Sequence, residues 1–156
     1  MSIRPALPTD APRIAEVWGS AWRDGHLGHV PDELVAQRTP ESFGTRSEAM
    51  IDRTFVAEVD GVVVGFVALK DDELDQLFVD AAARGTGVAK ALLAEGARRL
   101  IEAGHEQPWL AVVTGNARAR HFYAREGWRD AGPLAYEAPV DGGSVTIDCR
   151  RYELIR

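Results

Sequence analysis

The stretch "ARGTGVAKALLAEGARRL", residues 83–100, sets Gly85 and Gly87 one residue apart directly before a long apolar-periodic segment. Ala89, Leu92, Leu93, Gly96 and Leu100 recur at helical spacing, and Gly104 follows as a stop. Upstream, "LDQLFVD" reads as a strand, so the glycines mark a strand-to-helix turn. Such a turn has two readings. It is a tight connection and nothing more, or it holds an anion against the unpaired N–H groups of a helix N-terminus. Two nucleotide motifs are excluded. A P-loop needs lysine after its last glycine, where Val88 stands, and a dinucleotide fingerprint needs a third glycine at Lys90. Arg84 adds positive charge beside the turn. These residues alone leave both readings open.

Working outward, "TFVAEVDGVVVGFVALK" predicts a hairpin, with Asp60-Gly61 as a primed turn between two β-branched runs. "KDDE" turns the chain back into the strand before the glycines. "SIRPA" is a short first strand. "TDAPRIAEVWGSAW" opens a helix with Thr9 or Asp10 as cap, Pro12 in the first turn, and Ile14, Val17, Trp18, Ala21 and Trp22 on one face. The segment 26–50 reads as loops around short helices over Asp32–Gln37 and Glu41–Met50. Past the glycine-led helix, "PWLAVVT" is a buried strand and "NARARHFYAREGW" a helix from Asn116 to Gly127. "LAYEAPV" reads as a strand. "SVTIDCRRYEL" alternates Val145, Ile147 and Cys149 with polar residues as a final one. A strand, helix and strand in succession imply a parallel crossover. The expected fold class is therefore α/β, a single domain over 1–156 with a mixed sheet covered by helices on both faces.

Composition narrows the function. Eighteen basic and twenty-four acidic residues give a net charge of −6, which disfavours nucleic acid and anionic membrane surfaces but not an anionic small molecule. Cys149 is the single cysteine, which excludes an intrachain disulfide and a Cys-cluster zinc site. The first residues lack the apolar core of a signal peptide, and "GVVVGFVAL" is too short to span a bilayer. A cytoplasmic protein is expected.

"LFVDAAARGTGVAKALL" resembles the acyl-CoA-binding signature of the GNAT superfamily of N-acetyltransferases. That signature is glutamine or arginine, two residues, glycine, one residue, then glycine or alanine. Arg84, Gly87 and Ala89 fill it. Asn116, Ala119, Phe122, Tyr123, Gly127 and Trp128 match the family's later helix in the same order and spacing. "IRPALPTDAPRIAEV" is similar to its first strand and helix. Residues 26–50 are the exception, a region that varies with the acceptor in this family. Ala81 also departs from the pattern, where the family often carries proline.

The resemblance implies a central, mostly antiparallel mixed sheet, splayed where acyl-CoA binds. It implies acetyl transfer from acetyl-CoA to a primary amine, small molecule or peptide, by direct attack in a ternary complex. The backbone amides of Gly85, Gly87, Val88 and Ala89 would cradle the pyrophosphate, with Arg84, Thr86 and Lys90 also among the cofactor-binding residues. Phe78 and Val79 would pair with the pantetheine arm, and a backbone N–H there would stabilise the oxyanion. Asn116 would touch the pantetheine, with plain helix capping as its other role. An alkylammonium, with an ordinary pKa near about 10, must lose a proton. By the resemblance Glu73 is the first base candidate. Asp75, on its strand face by the period of two, is the second, and a solvated turn is the alternative for both. Tyr123 matches the general-acid position and would protonate the leaving thiolate, whose ordinary pKa is about 8.5.

Cys149 reads as a buried filler rather than a nucleophile. His26 and His29 have H-x-x-H spacing without a completing carboxylate pattern, so no metal is expected; they are acceptor-wall or plain loop residues. Among Arg118, Arg120 and Arg125, one would meet the 3′-phosphate, or all three form a solvated face. The rivals are a non-catalytic CoA-binding sensor on the same fold and a transferase of another acyl length. A homodimer is common in the family. The acidic "KDDELD" and "PDE" segments suit a cationic amine but do not identify it.

Overall fold

The computed structural model describes residues 1–156. Seven strands form one sheet: β1 (Ser2–Pro5), β2 (Thr54–Val59), β3 (Val62–Lys70), β4 (Glu73–Val79), β5 (Trp109–Val113), β6 (Trp128–Val140) and β7 (Gly143–Leu154). Their spatial order is β1-β2-β3-β4-β5-β7-β6. Every neighbouring pair is antiparallel except β4 and β5. The helices are α1 (Ala11–His26), α2 (Asp32–Gln37), α3 (Pro40–Ala49), α4 (Val88–Glu102) and α5 (Ala117–Arg125). The sheet is mixed with helices on both faces, as expected.

Strand alternation divides the core between the two faces. Ile14, Val17, Trp18 and Trp22 of α1 pack with Leu34, Phe43, Phe66 and Ile147 on one face. Leu92, Leu93, Ala97 and Leu100 of α4 pack with Val67, Leu74, Leu110 and Trp128 on the other. Gly96 is needed where α4 crosses the sheet. A Cβ there would lie 3.0 Å from Leu74 Cδ1 and 3.1 Å from Val67 Cγ2. The Asp60-Gly61 turn has positive φ at both residues (51° and 78°), as a type I′ hairpin requires.

Three local expectations are corrected. Neither Thr9 nor Asp10 caps α1 with its side chain. The Asp10 carboxylate accepts the Leu7 N–H at 2.8 Å and two Arg4 guanidinium bonds at 2.7 and 3.1 Å instead. Ala21 and Ala89 are half-buried rather than core, because both face the cleft described below. Val88 and Ala97 complete the inner stripe of α4. "LAYEAPV" is part of a much longer strand, β6, paired with β7 along its whole length.

The decisive feature is the junction of β4 and β5. A single parallel pair, Glu73↔Trp109, joins them. Beyond it the strands part, and β4 from Gln76 to Val79 keeps one edge on β3 and leaves the other unpaired. The β3–β4 register shifts between Ala68 and Leu69, where Asp75 is the extra residue of a bulge.

Leu92 is fully buried at the centre of the α4 contact. Leu92→Ala is expected to lower unfolding free energy by about 2–5 kcal/mol, read as a shifted urea midpoint with an unchanged slope.

Candidate active site

Two hollows meet at the parting of β4 and β5. The first is a cleft of about 500 Å³ between the glycine turn, α5 and the end of α1. The chain leaves Val79 through a short turn and reaches Gly87, which is left-handed (φ 88°) and starts α4. Gly85 is also left-handed (φ 75°), so the backbone folds back on itself as L side chains rarely permit. No side chain caps α4, and its first internal bond runs from Ala91 N–H to Gly87 O. The amides of Val88, Ala89 and Lys90 are thus free of helical partners at the positive end of a fifteen-residue helix. Phe78, Val79, Arg84, Gly85, Gly87, Val88, Ala89 and Lys90 all line this cleft, as do Arg118 and Arg125.

Three expected residues sit differently. Thr86 is outside the lining, because its hydroxyl bonds back to the Ala83 carbonyl. Arg84 is already paired, its Nη2 lying 2.6 Å from Asp24 of α1. Arg120 turns away to Tyr152, Thr114 O and Asp130.

The second hollow is a cavity of about 130 Å³ on the α1 face of the sheet. Glu73 is buried at the start of β4, where its Oε2 accepts the Tyr136 hydroxyl at 2.9 Å. Asp75 Oδ1 lies 3.5 Å from the same hydroxyl, and its Oδ2 accepts from Arg53 at 3.0 Å. Glu73 and Asp75 therefore share a face, as expected, but the bulge breaks the strict period. Leu74 and Leu77 both lie toward α4, while Phe78 packs toward α1. Burial first, and then the charge of Asp75, push the Glu73 pKa up to about 7, against the bond from Tyr136.

The hollows are continuous at Leu77, Phe78, Asn116, Ala119 and Tyr123, which line both. Asn116 Oδ1 accepts the Ala119 N–H at 3.1 Å as the α5 cap. Its Nδ2 packs on Gly25 of α1, where a Cβ would come within 2.7 Å. The Tyr123 hydroxyl has no hydrogen-bond partner in the protein, and burial alone raises its pKa above the ordinary tyrosine range. It keeps its proton at neutral pH and points at no competing acceptor.

His26 stacks on Trp22 (4.6 Å between ring centroids) with Nδ1 2.8 Å from Trp22 O, and burial lowers its pKa to about 4. It lines the cavity as a neutral ring. His29 instead packs on Gly115. Cys149 also lines the cavity, but burial pushes its thiol up to about 12, which keeps it protonated and a poor nucleophile. Tyr136, Arg38 and Arg46 were not anticipated. The alternation of Leu134, Tyr136 and Ala138 in "LAYEAPV" was the available signal for the tyrosine, since all three turn to the α1-side core.

The acetyltransferase (GNAT) family profile matches residues 13–128. The chain belongs to that family. Its GNAT relatives include an uncharacterised N-acetyltransferase of Mycobacterium tuberculosis, 35% identical over 85 residues. That match covers 51% of this chain and 54% of the relative, so the chain spans about half the length of the curated relatives it matches first. Among solved GNAT structures, a ribosomal-protein-alanine N-acetyltransferase of Brucella melitensis superposes over 100% of both chains with a TM-score of 0.76 at 20% identity. A PaiA N-acetyltransferase of Thermoplasma acidophilum, solved in complex with coenzyme A, covers 99% of this chain and 98% of its own (TM-score 0.70, 19% identity). At these identities the likeness is one of fold. No helix is long and apolar enough to cross a membrane.

The raised pKa of Glu73 has a consequence for stability. Its carboxyl titrates near 4.5 when ordinary and near about 7 when folded, so the folded state prefers the protonated form. Its contribution to stability is fully present below pH 4.5 and is lost as pH rises through about 7. Glu73→Gln is expected to lack that loss and to exceed the wild type by up to about 3 kcal/mol at pH 8, with little difference at pH 4. Urea titrations at the two pH values measure it.

Proposed function

We propose that this GNAT protein transfers the acetyl group of acetyl-CoA to a primary amine by direct attack in a ternary complex. The observation that carries the proposal is the junction of the two hollows. An uncapped helix N-terminus lies at one end, buried Glu73 and half-buried Asp75 at the other, and the unpartnered hydroxyl of Tyr123 borders both.

The cleft fits the cosubstrate by its own chemistry. Uncapped amides at the start of α4 suit a pyrophosphate. The unpaired edge of β4 up to Val79 offers main-chain groups to an amide-bearing arm lying where a strand would. Arg118 and Arg125 add cationic charge to the cleft wall. When bound, acetyl-CoA supplies an acetyl group activated as a thioester.

The remaining work is proton transfer by this chain's residues. Glu73, poised near neutrality, accepts the proton that the acceptor ammonium must shed. Asp75 raises Glu73 by its charge, and Tyr136 orients the carboxylate by its hydrogen bond. As the new C–N bond forms and the C–S bond breaks, Tyr123 would donate its proton to the departing sulfur, and the second proton shed by the acylated nitrogen would restore the tyrosine hydroxyl.

Tyr123→Phe is expected to lower kcat about 100-fold while leaving the acetyl-CoA dissociation constant within twofold. The measurements are thiol release and calorimetry. In the wild type, kcat/KM should rise with pH through about 7, and Glu73→Gln should flatten that limb. Gly87→Val, which forces a β-branched residue to φ 88°, should weaken acetyl-CoA binding at least tenfold. Tight acetyl-CoA binding without thiol release across a broad amine panel would instead favour a non-catalytic sensor.

A further inference from the structure

Resting on that reading, we propose that the acceptor is an amino acid or close analogue, with a carboxylate bound by Arg38 and Arg46 and its amine directed to Glu73. Arg38 follows α2 and Arg46 lies on α3, within residues 26–50, which carry none of the signature motifs quoted above. Both line the cavity that holds Glu73, Asp75 and Tyr136. Both also line a third, open hollow of about 390 Å³ that leads outward between α3 and the end of β6. They stand where an acceptor would pass from solvent to the carboxylate pair.

Neither guanidinium has a hydrogen bond or ion pair within the protein. Arg38 is buried (7% exposed), and its Nε has no partner at all. Arg46 lies over the Trp18 ring at 4.4 Å, and burial with the nearby charge of Arg38 lowers its pKa to about 10. The charge of Asp75 reaches Arg46 but forms no ion pair with it, and both cavity carboxylates are engaged elsewhere. Asp75 is held by Arg53, and Glu73 by the Tyr136 hydroxyl. Glu41 and Asp141 line the outer hollow but form no ion pair with either arginine. Among fifteen ion pairs in the molecule, these two most enclosed cavity arginines take no part. A buried guanidinium without a counter-charge is costly, and a planar carboxylate matches its donor fork. The same cavity thus offers cationic donors at its outer end and acidic acceptors at its inner end. That polarity complements a molecule with a carboxylate on one side and an amine on the other. A polyamine would bring ammonium groups against both arginines and is disfavoured.

The test pairs each amino acid with the amine made by removing its carboxyl group, together with the matched aminophosphonate, in an acetyl-CoA thiol-release assay. At least one amino acid should show kcat/KM about 10- to 100-fold above its decarboxylated partner. Arg38→Met and Arg46→Gln should each shrink that advantage toward one. Thermal melts of both variants check folding, and the half-exposed Arg46 site guards against a collapse at Arg38. Preference for the phosphonate over the carboxylate would overturn the carboxylate assignment. Equal turnover of amino acids and plain amines, or equal losses on both in the variants, would overturn the proposal. If acetyl-CoA binds but no amine is acetylated, the transferase reading fails separately. Calorimetry of the amino acids into the acetyl-CoA-loaded protein then decides this one. Binding that weakens tenfold or more in Arg46→Gln sustains it, and no binding overturns it.

Discussion

Everything at the candidate site depends on one weak join, the single parallel pair between Glu73 and Trp109. Every other strand neighbour is antiparallel and holds its partner along several residues. The β4–β5 connection is a crossover through α4, so it brings two strands together at one end without committing them at the other. Because β4 runs from Glu73 toward Val79, the strands part at its carboxyl end. The crossover must also start its helix at that end. The fork in the sheet and the positive end of α4 therefore coincide by topology, and no further device is needed to aim the helix at the opening.

The same join separates two electrostatic environments. On the cleft side, free amides and arginines face solvent and favour negative charge. On the cavity side, burial raises Glu73 to near neutrality and lowers His26 far below it. Tyr123 stands between them with its proton secured by burial. The two groups are thus set apart by environment alone, one hydroxyl held protonated and one carboxyl held near its midpoint. Tyr136 reaches Glu73 of β4 from β6, a strand three places away in the sheet, because β5 and β7 intervene. The long terminal hairpin closes the cavity as well as extending the sheet.

Much of this was legible in the sequence because it is local. The Asp60-Gly61 turn, α2 over Asp32–Gln37, the Asn116 cap and the α4 stripe rest on neighbours within one turn of chain. The glycine pair and the α5 motif were legible for the same reason. What escaped involves partners far apart. Asp24 meets Arg84 across 60 residues and Tyr136 meets Glu73 across 63, and no periodicity encodes either contact. The bulge at Asp75 escaped because its neighbours alternate well enough to read as regular strand. Arg38 and Arg46 escaped because a charged residue in or just after a short helix looks solvated until the fold encloses it. Residues 26–50 carry two short helices with little apolar pattern, so their place over the cavity comes from packing rather than propensity.

The Arg84–Asp24 pair bears on which groups of the turn are free to meet an anion. Arg84 stands at the arginine position of the signature, yet its guanidinium already has a carboxylate partner on α1. A phosphate would have to displace Asp24 or share Arg84 with it, and pairing at an exposed site yields little net energy either way. The amides of Val88, Ala89 and Lys90 meet no such competition, since the helix leaves them unbonded and no side chain caps them. Backbone, not side-chain charge, is the part of the turn that is free to act. That is why the left-handed geometry at Gly85 and Gly87 matters more than the charge beside it. The arginine ties α1 to the turn, and the glycines shape the surface that faces the cleft.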